Sequence, residues 1–259
     1  MNISDTTTVR DLAAGVPGAT RVFENFGVNY CCGGHRTLAA ACQEAGLPVE
    51  DLTRSLEEAG RASQPGAERD WRRESLTALT EHIIENHHHG ARQEIDRLEK
   101  LFDKVCSRHG KNHPELFEAQ KIFYQLKRDL IPHMLKEEQV LFPYITRMEL
   151  AAGEGLAISP PFFGTVRNPV RMMMMEHDTA GDLLKQLRGV TNGYTTPPDV
   201  CISFQTLYQA LAAFEADLHQ HIHLENNILF PRAAEMEETS APNLYKSAGE
   251  FNEHRCFGH

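Results

Sequence analysis

The chain lacks any apolar run near the roughly 20 residues a helix needs to cross a bilayer, which argues against a membrane-spanning protein. Strand signals are almost absent as well, so an all-α fold is expected. Positive charge is in deficit: 26 Lys and Arg stand against 36 Asp and Glu, a net charge of −10. That balance argues against nonspecific binding to nucleic acid or to an anionic membrane. Six cysteines are too few and too scattered for a disulfide scaffold and fit a reducing compartment better. The first 15 residues are polar and acidic, with no basic stretch leading into an apolar one. No export signal is visible there, and a cytoplasmic location is expected.

What is present reads as helix throughout. At 259 residues, 41% of them hydrophobic, the chain suits a packed main domain with a small second one. Short elements are predicted over 8–15, 17–26, 35–44 and 48–59, with Thr8 as an N-cap and Gly27, Gly33, Gly34 and Gly46 as breaks. The division expected is a small helical N-terminal domain over 1–60, a polar linker over 61–72 that holds Pro65 and Gly66, a helical bundle over 73–236 and a polar, partly disordered tail over 237–259. Four long helices are predicted over about 74–106, 114–150, 168–191 and 198–236. Pro114, Pro169 and Pro198 stand where a helix can start without losing a bond, and Asn168 is placed to cap the third. An up-down-up-down four-helix bundle is the simplest assembly.

The strongest signal is a duplication. Asp129-Leu130-x-x-His133-x-x-x-Glu137-x-x-x-Leu141-Phe142-Pro143 recurs 88 residues later as Asp217-Leu218-x-x-His221-x-x-x-Glu225-x-x-x-Leu229-Phe230-Pro231. His and Glu at i and i+4 lie one turn apart on one helix face, where they can share a metal ion. Heptad stripes extend the set. In the first long helix the apolar seam through Ile84, Ala91, Ile95, Leu98 and Phe102 is interrupted only by His88. In the third, the seam of Val170, Met173, Ala180, Leu184 and Leu187 is interrupted only by His177. Four helices thus bring four histidines and two glutamates to one depth of one core.

A single histidine on an apolar face is ordinarily a satisfied core residue. A buried carboxylate without a partner is very costly, and a symmetric set of six points to metal. Glu138, His82, His87, His89, His219 and His223 fall off the stripes and read as surface or rim groups. Asp129 and Asp217 sit one turn before a histidine, placed equally for orienting an imidazole or for solvation. Four neutral imidazoles and two carboxylates suit two bridged divalent ions, iron before manganese, and without a thiolate they disfavour a closed zinc site. Pro132 should kink the second helix beside His133, with Pro143 and Pro231 acting likewise further on. One helix cannot turn all of Met172 to Met175 inward. In the tail, Cys256 with His254 and His259 has the makings of an adventitious metal site only.

Residues of about 73 to 235 resemble a hemerythrin-like domain. Asn29-Tyr30-Cys31-Cys32-Gly33-Gly34 followed by Thr37-Leu38 extends that likeness. Together they resemble the bacterial iron-sulfur cluster repair di-iron proteins, the repair-of-iron-centres family. The resemblance implies two iron ions, oxo- and carboxylate-bridged, held by His88, His133, Glu137, His177, His221 and Glu225. It also matches Glu176 to a further acid near the centre. Adjacent cysteines rarely bridge each other without strain. Gly33 and Gly34 permit an unusual backbone there, and the helix that follows is expected to aim its amides at the thiols and raise their thiolate character. With the resemblance, Cys31 and Cys32 are expected to take a redox or iron-relay role, whereas Cys42, Cys106 and Cys201 read as ordinary helix residues.

The activity implied is repair of iron-sulfur clusters damaged by nitrosative or oxidative stress, with damaged iron-sulfur proteins or cluster scaffolds as partners. Binding or sensing of nitric oxide or dioxygen, and reduction of nitric oxide at the irons, are the alternatives. Whether the chain forms a homodimer, and whether the small domain docks on its own bundle, stay open.

Overall fold

The computed structural model describes residues 3–62 and 69–244; Pro65, Gly66, Cys256, His254 and His259 lie outside them. The fold is all-α, and among the described residues the single β-bridge joins Thr8 to Thr37. Four short helices come first: α1 (Val9–Gly15), α2 (Ala19–Phe26), α3 (Leu38–Ala45) and α4 (Val49–Ala62). Thr8 and Thr37 cap α1 and α3, taking the N–H groups of Asp11 and Ala40. Val9, Leu12, Phe23, Leu38, Leu52 and Leu56 close an apolar core of their own.

The bundle follows. Its first helical rod is α5 (Leu76–His82), a π-helical turn over Ile83–His88, and α6 (His89–His109). The second is α7 (Glu115–Lys136), a π turn over Glu137–Leu141, and α8 (Phe142–Glu154). The third is α9 (Arg167–Val190), and the fourth is α10 (Ile202–Leu224), a π turn over Glu225–Leu229, and α11 (Phe230–Leu244). α7 packs along α9, and α6 along α10.

Two of the π turns have a local cause. Pro143 and Pro231 have no N–H to donate, and a proline ring presses on the carbonyl four residues back. The chain widens just before each: Phe142 N–H and Phe230 N–H reach five residues back, to the carbonyls of Glu137 and Glu225. The helix therefore continues past both prolines. α7 also runs on through Pro132, so His133 still arrives inside the bundle.

Helix starts differ from the sequence expectation at α9. Asn168 does not cap it; its amide donates to the Phe163 carbonyl at 2.8 Å. The N-terminal amide of Val166 goes instead to the buried Glu237 carboxylate, which also accepts from Tyr144 Oη at 2.6 Å and from Thr165. Glu149, 88 residues earlier, does the same for α5 by taking the amides of Leu76 and Thr77 at 2.7 and 2.8 Å. Glu237 was expected in a polar tail, yet it is a buried strut between α11 and α9, because α11 runs well beyond 236. The described end of the expected linker is also packed: Trp71 stacks on His82 at 4.2 Å, and Arg232 holds the carbonyls of Trp71 and Glu74.

Two apolar clusters fill the bundle. One contains Leu98, Phe102, Phe123, Leu126, Leu184 and Phe214. The other contains Leu79, Phe142, Ile145, Met173, Leu229 and Phe230. The residues of the sequence stripes that belong to neither, four histidines and two glutamates, form the polar layer between them. Of the Met172 to Met175 run, only Met173 is buried.

Candidate metal centre

The three π turns end or begin at His88, Glu137 and Glu225. His133 and His221 lie one turn before their glutamates, and His177 comes from the middle of α9. All six side chains are buried. They fall into two groups whose donor atoms lie within 4.8 Å of one another: His88, His221, Glu137 and Glu225, and His133, His177, Glu137 and Glu225. Both glutamates are shared. Within each group the imidazole Nε2 atoms face each other, at 3.1 Å for His88 and His221 and 3.0 Å for His133 and His177. Glu137 Oε2 stands 3.5 Å from His88 Nε2 and 3.4 Å from His133 Nε2. Glu225 divides its oxygens, Oε1 to His221 and Oε2 to His177, each at 3.0 Å.

This donor set fits cations. Among the described residues, neither oxygen of the fully buried Glu137 accepts a hydrogen bond, nor does Glu225 Oε2. Carboxylates in that state are costly unless a positive charge compensates them. Without an ion the histidines supply it. Burial depresses imidazole protonation, but Glu137 and Glu225 outweigh it at His88 and His133, raising their pKa values to about 9 and about 10. Burial prevails at His221, whose pKa is lowered. Burial also pushes both carboxylates up, yet the facing histidines hold Glu225 well below the usual range and Glu137 below it. A divalent ion would replace the imidazole protons, so metal uptake here releases protons.

Each imidazole is held, or left free, by its Nδ1. His88 Nδ1 meets Glu138 Oε1 at 2.7 Å, and Arg92 steadies that carboxylate from 2.8 Å. His133 Nδ1 meets Glu176 Oε2 at 2.8 Å, with Lys136 on the other oxygen. Glu176 is thereby held down to about 2, first by His133. His177 Nδ1 meets Asn226 Oδ1 at 2.8 Å, and His221 Nδ1 has no hydrogen-bond partner among the described residues.

Several of these residues correct the sequence expectation. Glu138 is not a rim group: it lies within the π turn, half-buried, and its carboxylate reaches His88 Nδ1. Asp129 is exposed beside Arg128, and Asp217 holds His87 at 3.0 Å rather than His221. His87 and His223 are buried, not superficial. Asn226 carried no signal except its position, immediately after a repeated glutamate.

The small helical unit docks on its own bundle. Asn227 Nδ2 donates to the Tyr30 carbonyl at 2.9 Å, and Glu24 pairs with His219 at 2.7 Å. Gly34 is required there, since a Cβ would stand 2.5 Å from Asn227 Oδ1. The docking sets Cys32 Sγ 3.6 Å from the His177 carbonyl. Cys31 and Cys32 are free thiols with sulfurs 3.8 Å apart, around an Asn29 side chain that accepts from the amides of Cys32 and Gly33. The expected activation is absent at Cys31: its hydrogen bond to Cys32, with burial, raises its pKa well above the ordinary value. The amides of α3 are spent elsewhere, Leu38 on Thr7, Ala39 on Asp5 and Ala40 on Thr37.

Two cavities reach these groups. One of about 270 Å³ leads to His133 and His177 between the apolar walls of Leu130, Ala180 and Leu218. The other, of about 640 Å³, has Glu24, Arg36, Asp178, Asp182 and Lys185 in its walls and opens onto Cys31 and Cys32 at the seam between the small unit and α9.

Comparison with known proteins agrees with this geometry. Residues 79–233 match the hemerythrin HHE cation binding domain, and residues 5–60 match ScdA_N, a domain of unknown function (DUF542). A probable iron-sulfur cluster repair protein of Haemophilus influenzae is 34% identical over 226 residues, 86% of this chain and 94% of the relative. The iron-sulfur cluster repair protein YtfE of Citrobacter koseri is 36% identical over 223 residues, with the same coverage. YtfE of an Escherichia coli strain matches at the same identity and coverage. The chain belongs to the family of iron-sulfur cluster repair proteins. The matched hemerythrin HHE segment is a cation binding domain by description, and both groups of donors lie within its residues. Among the described residues no helix is long and apolar enough to cross a membrane.

Proposed function

We propose that this chain repairs iron-sulfur clusters damaged by nitrosative or oxidative stress in the cytoplasm, with iron as its cargo. The observation that carries the reading is the pair of four-donor groups sharing two buried carboxylates. His88 and His221 would hold one iron, His133 and His177 the other, with Glu137 and Glu225 bridging. Bound there, the irons supply redox chemistry and open coordination positions to small ligands. Glu138 and Glu176 orient their imidazoles with Nε2 toward the centre. Cys31 and Cys32, on the larger cavity, would receive or relay iron toward a damaged iron-sulfur protein or scaffold.

Binding or reduction of nitric oxide, or binding of dioxygen, is the second reading. The apolar-walled cavity favours it, because such walls admit a small neutral molecule.

Iron content and a Mössbauer spectrum of anaerobically purified protein test the centre, beside Glu137→Leu and Glu225→Leu. About two coupled irons per chain, lost or uncoupled in the variants, is the expected result; one uncoupled iron, or zinc alone, overturns it. Recovery of a nitric-oxide-damaged iron-sulfur enzyme then separates the readings. Repair that is lost in Cys31→Ser/Cys32→Ser while nitric oxide binding persists favours iron donation. Nitrous oxide formed over several turnovers favours the reductase.

A further inference from the structure

Asn226 touches both halves of the molecule. Its Oδ1 accepts from His177 Nδ1 at 2.8 Å, and its Nδ2 donates to the Cys31 carbonyl at 3.3 Å. The side chain is buried, so neither bond has water as a ready substitute. The amide orientation follows from the network: turned over, it would set Oδ1 against a carbonyl oxygen. That orientation makes Nδ1 the protonated nitrogen of His177 and leaves the Nε2 lone pair facing His133 and Glu225.

The duplication shows why an amide stands here. Position 226 corresponds, 88 residues on, to Glu138, which orients His88 in the same way. A carboxylate would orient His177 equally well, but it has no N–H for the Cys31 carbonyl. The two copies diverge at the point where the thiol loop arrives. A second contact reinforces the first, since Cys32 Sγ donates to the backbone carbonyl of His177 itself.

We propose that Asn226 is a positioning residue that couples the Cys31–Cys32 loop to His177, so that seating of the loop and occupancy of the His133–His177 half of the centre stabilise each other. The inference rests on the reading of those residues as metal ligands. Coupling of this kind is reciprocal: whatever factor metal binding adds to loop seating, loop seating adds to metal affinity. Residues that orient a ligand histidine typically contribute about 10- to 100-fold in affinity, so a factor of that order is available to pass between the sites.

Hydrogen exchange at the amides of residues 29–36 reads the coupling, with the full chain compared metal-free and anaerobically loaded with ferrous iron. Asn226→Asp separates the two bonds, because it keeps an acceptor for His177 and removes the donor to Cys31. Asn226→Ala removes both and is read in parallel, so poor folding of one variant does not end the test. Asn227→Ala is the control, losing a bond to the same loop without touching a ligand histidine. Loading should slow exchange about tenfold in the unsubstituted chain and in Asn227→Ala, and leave it unchanged in the Asn226 variants. Equal slowing in Asn226→Asp overturns the coupling, as does its loss in Asn227→Ala, which would make general docking the cause. An unsubstituted chain that binds no iron pair overturns the metal centre itself, and the coupling with it. Ions bound normally with unslowed exchange overturn the coupling alone.

Discussion

Replacing Glu137 by Leu should make the metal-free protein more stable while abolishing the gain from metal. Glu137 is fully buried, and neither of its oxygens accepts a hydrogen bond from a described residue. Its nearest cationic partners, His88 and His133, stand 3.5 and 3.4 Å away. Removing one member of a buried ion pair usually costs about 3–5 kcal/mol, because it strands the other charge. Here nothing is stranded at pH 8. His88 keeps Glu225 as a partner and His133 keeps Glu176 and Glu225, so a proton that either imidazole retains stays paired. What remains is the exchange of a fully buried carboxylate for an apolar side chain of similar volume. Replacing a whole buried ion pair in this way is often stabilising by about 1–4 kcal/mol, and the lower end of that range is expected for the single exchange. For a chain of this size that raises Tm by roughly 2–4 °C per kcal/mol. The unsubstituted chain, in turn, should gain about 2.7 kcal/mol when free ferrous iron is at 100 times its Kd. The two proteins should therefore exchange rank: the variant melts higher without iron and lower with it. Thermal unfolding at pH 8 by circular dichroism, under nitrogen, measures both. A metal-free variant that melts several degrees below the unsubstituted protein would refute the reasoning and show that the facing histidines already satisfy the carboxylate.

Glu176→Gln should lower affinity for the ion of the His133–His177 half by about 10- to 100-fold, read by chelator competition. Asp129→Asn, at the exposed residue one turn before His133, should leave affinity unchanged. Among the described residues outside the Cys31–Cys32 loop, Cys201 should be the most readily alkylated thiol. The Phe204 amide and the His109 imidazole, 3.1 Å away, pull its pKa down to about 7, whereas burial pushes Cys42 and Cys106 up. Its alkylation should be slow below pH 7, where the thiol is protonated, and fast above it, and His109→Ala should move that midpoint upward. A midpoint near 9 in the unsubstituted chain would count against the pairing.

The six residues that meet in the centre were legible because each interrupts an otherwise apolar stripe, and that interruption needs only regular helical periodicity to be seen. The residues around them were not legible by the same rule. Straight α periodicity sets residue 138 about 100° round from 137, off the apolar stripe, yet its carboxylate still reaches His88. The prolines that accompany two of the π turns were visible, but their sign was misread. They suggested a kink, whereas a widened turn carries the helix on. At Cys31 the difficulty was long range: the α3 amides expected to face the thiols are bound to Asp5, Thr7 and Thr37. Cys201 looked ordinary because its partner His109 is 92 residues away in sequence.

The duplication alone would give a symmetric centre, and the side chains behind the histidines break that symmetry in one direction. His88 and His133, from the first copy, are backed by the carboxylates of Glu138 and Glu176. Behind His177, from the second, stands a neutral amide, and behind His221 Nδ1 no partner among the described residues. The slot equivalent to Glu176, 89 residues earlier, holds His87, which is turned toward Asp217. A carboxylate behind an imidazole raises its basicity as a ligand, so the first copy supplies the stronger nitrogen donors and the second the weaker. Each four-donor group combines one of each, His88 with His221 and His133 with His177. Neither ion is then trapped between two strong histidines, which suits a cargo that must leave. The weaker donor His177 is also the one against which the thiol loop docks. His177→Ala should accordingly cost less metal affinity than His133→Ala, although both remove one imidazole from the same group. Equal losses in a chelator competition would show that the unequal backing of the histidines has no bearing on how tightly the metal is held.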